Sequence, residues 1–295
     1  MLSKIIRKTE LQLFNRLTRR YENAIHEAIK YILVPGEAPV LLVAHLDTVH
    51  KEKVETICRS SKIWMSPQGI GGDDRCGVYA LVSIHEKAKK KPWLLFTCGE
   101  ESGGIGASRF VNEYLKNEEL REKMSSIKFI IELDRKGKDE AVYYDCYCPE
   151  LEDYITSKGF RTDIGSYSDI VDIAPVLGIA AVNLSCGYYN AHTEHEYIVI
   201  PELENTIKVV TEIVNESEEL PSFPYEEDWR LDETQECFIP TQEEQKMLDE
   251  LSVYMGKDIL MEYIACYGRK VIQELYDEIT AMIAYKEEES WETGV

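Results

Sequence analysis

Five separate segments of this 295-residue chain gather the residue types that bind metals and move protons: His45-x-Asp47, Asp73-Asp74, Glu100-Glu101, Asp134 and Asn190-x-His192. His45 and Asp47 follow the apolar run LLVA, Glu100 and Glu101 follow LLFTCG, and Asp134 follows FIIEL. Asn190 and His192 come after the run that ends at Cys186, and Asp73 and Asp74 close the glycine-rich stretch SPQGIGGDD. A lone acid at a strand end is ordinarily a turn or a cap. Five acid or histidine clusters at such ends call for a different explanation, because ligands of open α/β sheets collect beyond the carboxyl ends of the strands.

Two-metal chemistry supplies that explanation. Two divalent ions about 3.5–4 Å apart need a bridging carboxylate, further ligands on each ion and room for a shared water. Imidazole and carboxylate together suit zinc, with manganese or cobalt as competitors. Such ions lower the pKa of the water towards ~7 and polarise a carbonyl. A carboxylate that binds no metal must then take the water's proton and pass it to the leaving nitrogen. Consecutive Glu100 and Glu101 can divide this labour, since neighbouring side chains on an extended segment point to opposite sides.

The elements that must position these residues are legible in outline. PVLLVAHLDTV, KPWLLFTCG, IKFIIELD and GIAAVNLSCG are short apolar runs without polar alternation, as expected of strands covered on both faces. AVYYDC adds a further strand, and VETICRSSKIWMS reads as a hairpin around Arg59–Ser61. Residues 3–33 read as one or two helices, and helical spacing recurs over 74–90 (Val78, Leu81, Val82, His85) and roughly 105–124. PELEDYITSKG and PELENTIKVVTEIV are helices opened by proline. Alternating strands and helices predict an α/β fold, a three-layer αβα sandwich around a mostly parallel mixed sheet. The expected organisation is a catalytic domain over 1–215, an acidic proline-containing linker over 216–240 and a helical extension over 241–295. In that extension Met247, Leu248, Leu251, Tyr254, Met255, Ile259, Leu260 and Ile264 form one apolar stripe. Val271, Ile272, Leu275, Ile279 and Ile283 form another.

Charge and cysteine usage narrow the function classes. Residues 201–295 carry 25 acidic against 7 basic side chains, most of the chain's net charge of −21. A nucleic-acid partner would need the opposite sign, so a solvated acidic surface is expected. No run of eighteen apolar residues offers a membrane span. The amphipathic N-terminus lacks the marks of a signal peptide, and eight sparse cysteines in mostly apolar segments read as reduced thiols, so a cytoplasmic location is expected. Cys146-x-Cys148 has no second pair at zinc-ribbon spacing, and Cys76 and Cys98 read as small buried thiols. Gly103, Gly104 and Gly106 do not form a dinucleotide loop and are expected to make room for a substrate backbone and start a helix. His26 and His85 are expected on helix surfaces, and Tyr188, Tyr189 and Asn190 are candidates to line the pocket.

The segments AHLDTV, GIGGDDRCG, FTCGEESGGIGA, IELD and NAHTEHEYI, in that order, resemble the signature of the co-catalytic zinc exopeptidases. That superfamily includes peptidase T, carboxypeptidase- and aminoacylase-like enzymes and related aminopeptidases, and the likeness covers roughly residues 38–215. The resemblance implies that His45 and Asp134 serve one metal, Glu101 and His192 the other, and that Asp73 bridges them. It implies Asp47 as the residue orienting His45, Glu100 as general base and a cis Asp73–Asp74 peptide, with Asp74 as rival bridge. His195 is the rival to His192, and Glu196 completes a His-x-x-x-Glu block.

Peptidase T carries an inserted second domain between the third acidic ligand and the final histidine. Here 57 residues, 135–191, separate Asp134 from His192. Four strands and two helices need about 70 residues at average element lengths, so the insertion is absent. The C-terminal helices are then expected to replace its lid or dimer surface, which makes a homo-oligomer part of the expectation. The resemblance implies an aminopeptidase or di-/tripeptidase acting on small peptides. An N-acyl amino-acid deacylase using the same site is the alternative. A third reading, a binding or structural relative without turnover, conflicts with retention of every expected ligand together with Glu100.

Overall fold

The structure is a computed structural model that describes residues 1–225, apart from 145, 147 and 166, then 242–255 and a few positions between 272 and 280. The chain divides into two compact units. The first comprises Met1–Asp163 and Tyr167–Glu227, the second Ile164–Ser166 and Asp228–Val295.

Helices α1 (Leu2–Ile6) and α2 (Glu10–Arg20) open the first unit, α2 with a capping box in which Thr9 and Gln12 satisfy each other's backbone N–H. The helical expectation for residues 3–33 fails beyond Arg20. Ile25–Glu27 (β1) and Tyr31–Val34 (β2) form a hairpin instead. All four residues of β2 are buried, so the run has no amphipathic pattern by which to tell strand from helix. His26 therefore sits on a strand, edge-on to the Phe14 ring, rather than on a helix.

The core strands are β3 (Ala38–His45), β6 (Pro92–Thr97), β7 (Phe129–Arg135) and β10 (Ala181–Ser185). Every residue of β3, β6 and β10 is buried, which matches the unalternating apolar runs. These four strands lie side by side and parallel in the order β6-β3-β7-β10, so their carboxyl ends share one sheet edge. The β1–β2 hairpin extends the sheet beyond β6. Strands β8 (Glu140–Val142) and β9 (Arg161–Asp163) extend it beyond β10, giving eight strands. A separate four-stranded antiparallel sheet, in the order β11-β12-β5-β4, joins the β4–β5 hairpin (Cys58–Arg59, Ile63–Met65) to β11 (Tyr188–Tyr189) and β12 (Tyr197–Val199).

Two apolar cores flank the large sheet. One lies under α3 (Gly72–Lys87) and α8 (Ile200–Glu216), the other under α4 (Ile105–Lys116), α5 (Glu118–Met124) and α7 (Ile170–Leu177). This is the expected αβα sandwich. The helix expected over 105–124 is two helices, because the Asn117 side chain caps Leu120 N and starts a new one. Residues 135–191 supply β8, α6 (Pro149–Ser157), β9, α7 and β10 to the main layers and β11 to the small sheet, so they build no inserted domain.

The first unit continues past residue 215. Phe223 is buried against Phe129 and Tyr154, and its backbone bonds to Lys128 and Ala180. In the second unit, helix α9 (Gln242–Met255) buries Leu248 and Leu251 with Ile272, and Met247, Leu275, Tyr276 and Ile279 pack around them. The described parts of the two stripes thus cover each other. Ile259, Leu260, Ile264, Val271 and Ile283 lie outside the described residues. No described helix is long and apolar enough to cross a membrane.

Candidate metal centre

The shared sheet edge brings the candidate ligands together. His45 ends β3, Gly99–Glu101 follow β6, Asp134 lies near the end of β7, and Asp73 opens α3. His192 comes from the loop between β11 and β12, with a left-handed backbone (φ 65°) that turns it back over the sheet edge. Helix α3 can approach because Gly77 has no side chain: a Cβ there would lie 2.1 Å from the Leu133 carbonyl. The Asp73–Asp74 peptide is cis.

Asp73 is the centre of the arrangement. His45 Nε2 lies 3.0 Å from its Oδ1, and His192 Nε2 lies 3.2 Å from its Oδ2. The Nε2 of each imidazole meets one further carboxylate, Asp134 at 3.5 Å from His45 and Glu101 at 3.1 Å from His192. His45 is fully buried, whereas His192 is about half exposed, at 53 % of its side chain. Asp74 is turned away from this pairing: its Oδ2 accepts from His45 N (3.2 Å) and its Oδ1 from Gly77 N (2.8 Å).

Asp47 lies 3.3 Å from His45 Nδ1 and accepts the backbone N–H groups of Gly99, Glu100 and Glu101 at 2.8–3.2 Å. One carboxylate thereby fixes both the His45 ring and the turn that carries the Glu pair. Burial opposes ionisation of Asp47, but His45 and the backbone donors outweigh it and lower the carboxyl to about 2. Asp73 behaves likewise: burial raises it, and the two histidines bring it well below the usual carboxylate range. Burial pushes Glu100 up to about 7; Asp169, Glu101 and Asp73 add to this and His45 opposes it. Asp134 is raised by burial and then by Asp73.

The donor set fits divalent cations. Three groups have ligand atoms within 4.8 Å of one another: Asp73–Glu101–His192, His45–Asp74–Asp134 and His45–Glu100–Glu101. Carboxylates and imidazoles crowd together here without any lysine or arginine ion pair to Asp73, Glu101 or Asp134 among the described residues. Clustered anions in a buried site are costly unless a cation joins them.

The remaining candidates fall outside the cluster. His195 is exposed, and its backbone N–H turns to Thr193 Oγ1. Cys76 and Cys98 are buried thiols outside all three groups. Tyr188 is buried, and its hydroxyl reaches both the carbonyl (3.2 Å) and Oδ1 (3.3 Å) of Asp134. Tyr189 stacks on Tyr197 and bonds Glu202, and exposed Asn190 donates to the His195 carbonyl. Gly104 caps α4, and Gly106 serves packing rather than substrate, since a Cβ would meet backbone atoms of Cys98 and Lys30 at 2.5 Å.

Several residues support the cluster in ways that a reading of the sequence did not supply, Glu196 of the His-x-x-x-Glu block among them. Parallel pairing of β7 with β10 slips beside Asp134, between Asn183 and Ser185. There the Asn183 side chain replaces the ladder, accepting from Asp134 N (2.9 Å) and donating to Asp134 O (3.2 Å). Buried Arg75 donates to the carbonyls of Leu46, Asp47 and Lys8 and so ties the loop after β3 to the N-terminal segment. Fully buried Glu196 accepts from Gly71 N, Asp73 N and His50 Nε2.

This fold and cluster resemble those of the co-catalytic zinc exopeptidases. Residues 32–169 match the model of peptidase family M28. No curated protein matches the chain in sequence. Among solved structures, aminopeptidase PepT from Bacillus cereus ATCC 10987 superposes with a TM-score of 0.57 at 15% identity, covering 74% of this chain and 97% of that one. A tripeptidase from Staphylococcus aureus subsp. aureus Mu50 gives a TM-score of 0.59 at 15% identity, over 74% and 97%. TET1 peptidase from Pyrococcus horikoshii, which assembles into a tetrahedron or an octahedral shell, gives 0.54 at 16% identity, over 72% and 98%. At such identities these likenesses speak for the fold.

Proposed function

We propose that the chain is a metal-dependent exopeptidase, an aminopeptidase or a di-/tripeptidase. In this reading His45, Asp73, Glu101, Asp134 and His192 hold two divalent ions, zinc in the first instance. The observation that carries the reading is the paired arrangement around Asp73. Its two carboxylate oxygens face the Nε2 atoms of two different imidazoles, and each of these Nε2 atoms faces one more carboxylate. A shared bridging carboxylate with two half-sites is the pattern that a dinuclear hydrolytic centre requires.

When bound, the ions would supply Lewis acidity and a water that is acidic near neutral pH. The chain's own residues do the rest. Glu100 takes the proton of the attacking water and returns it to the leaving amine. Its raised carboxyl suits that exchange, because a base with a pKa near the working pH both accepts and gives up a proton readily. Asp47 keeps His45 in one tautomer and orientation while its other contacts hold Glu100 and Glu101 in place. A cytoplasmic setting is part of the proposal and is supported by the sparse placing of the cysteines, mostly in apolar segments, which suits reduced thiols.

The test is a cleavage panel of di- and tripeptides, blocked peptides and N-acyl amino acids, run with zinc, manganese and cobalt. Release of an N-terminal residue from unblocked peptides, abolished by chelation and restored by metal, is expected. Turnover confined to N-acyl amino acids would replace the peptidase reading by deacylation, and metal-independent turnover would reject the centre.

A further inference from the structure

His50 stands outside every ligand group, yet its imidazole reaches the interior. Its Nε2 lies 2.8 Å from Oε2 of Glu196, a carboxylate with no solvent exposure. The same Oε2 accepts Gly71 N at 2.8 Å, and Oε1 accepts Asp73 N at 2.9 Å. One carboxylate therefore grips the Gly71–Asp73 turn by two backbone donors, and the imidazole supplies its third. Removing that donor leaves an acceptor oxygen of a buried charged group short of a partner.

Two further features place the imidazole against this turn. Gly69 has a left-handed backbone (φ +76°), and a Cβ there would lie 2.2 Å from His50 Nδ1, so the ring occupies the space a side chain would take. A cavity of about 230 Å³ borders the same turn, with Gly69, Gly71, His50 and Arg75 in its wall. Beside that cavity the turn is held by its hydrogen bonds to Glu196.

We infer that His50 is a positioning residue for the metal centre: through Glu196 it holds the Gly71–Asp73 turn and with it the carboxylate that both ions share. The inference rests on the two-ion reading of Asp73. Its consequence differs from that of a ligand on one side of the centre. Because Asp73 faces both His45 and His192, loosening its turn weakens both ions together.

The full chain is stripped of metal by dialysis against chelator and titrated with cobalt, followed by visible absorption, and with zinc in competition. Wild type is compared with H50F, H50N and H50Q, and far-UV circular dichroism checks that each variant is folded. Wild type should take two ions. H50F, which removes the donor, and H50N, which keeps a donor too short to reach Glu196, should each bind both ions more weakly by about 10- to 100-fold, the usual loss for a group that supports ligands. H50Q, whose amide can donate across the longer reach, should recover most of the affinity. Wild-type affinity in H50F or in H50N would overturn the inference while leaving the centre intact. An H50Q loss equal to that of H50F would also overturn it, by assigning the effect to packing against Gly69. A wild-type chain that binds no ion would fail the two-ion reading itself, and the inference with it.

Discussion

Replacing Glu100 by glutamine separates catalysis from metal binding. The side chain keeps its shape, and the Glu100 backbone N–H still bonds Asp47 Oδ1, so the turn that carries Glu101 stays in place. The expected ligands His45, Asp73, Glu101, Asp134 and His192 are untouched. A positioned general base contributes about 10²–10⁴ in rate, or about 3–5 kcal/mol of barrier at 1.36 kcal/mol per tenfold. E100Q should therefore lose about 10²–10⁴ in kcat with little change in KM and two ions still bound.

The same variant has a stability signature of opposite sign. Burial moves the Glu100 carboxyl from 4.5 to about 7 in the ion-free chain, so the folded state holds this proton more tightly than the unfolded one. A raised carboxyl lowers stability as pH climbs from about 4.5 through about 7, by at most about 3 kcal/mol for this group. Glutamine cannot ionise and escapes that loss. Ion-free E100Q should match wild type near pH 4.5 and melt at higher temperature at pH 8. Bound cations favour the carboxylate, so the acid limb of the wild-type kcat profile should fall below pH 7, and E100Q should lack that limb. Stopped assays across pH 5–9 with metal analysis of each sample measure the first effect, and scanning calorimetry of chelated protein the second. Undiminished turnover in E100Q, or a residual activity with an unchanged acid limb, would refute the assignment of the base.

The rival histidines separate cleanly: H192A should cost more affinity at one ion than the about 100-fold of a supporting residue, while H195A should bind metal as wild type does. Equilibrium dialysis at matched free zinc decides between them, and the reverse order would exchange the two. Zinc at 100 times its dissociation constant should stabilise the chain by about 2.7 kcal/mol. Its uptake should expel protons, because Asp134 sits raised by burial and by Asp73 in the ion-free chain. Titration calorimetry in two buffers of different ionisation heat reads that release, and identical heats in both would contradict it.

The layers and the clustering of the candidate residues were legible for one reason: both are written as local pattern. A strand buried on both faces is apolar over most of its length, so β3, β6, β7 and β10 announce themselves, and the chemistry-bearing residues stand at or near their ends. Local pattern fails where two structures share it. Residues Tyr31–Val34 are as continuously apolar as a helix segment of the core, and only pairing with β6 makes them a strand. The break at Asn117 was likewise hidden, since asparagine inside a helical stretch is a cap only if its side chain reaches a later N–H, as it does at Leu120.

The roles of the supporting residues were illegible for a different reason. Each residue acts on main-chain groups far away in sequence, and a backbone N–H or C=O has no identity in the sequence. Glu196 grips peptides 123 and 125 positions distant, and Asn183 brackets a peptide 49 positions distant. The Asn183 contact exists because pairing between β7 and β10 slips at Asp134, so the strand no longer supplies its own partners there. An aspartate at a strand end is common; one whose peptide is freed from the ladder and held on both sides by an amide can be aimed. Tyr188 adds a hydroxyl to the same carbonyl from another strand. The chemistry thus depends on residue types that a reader can find, and its accuracy on a slip in register that no single segment displays.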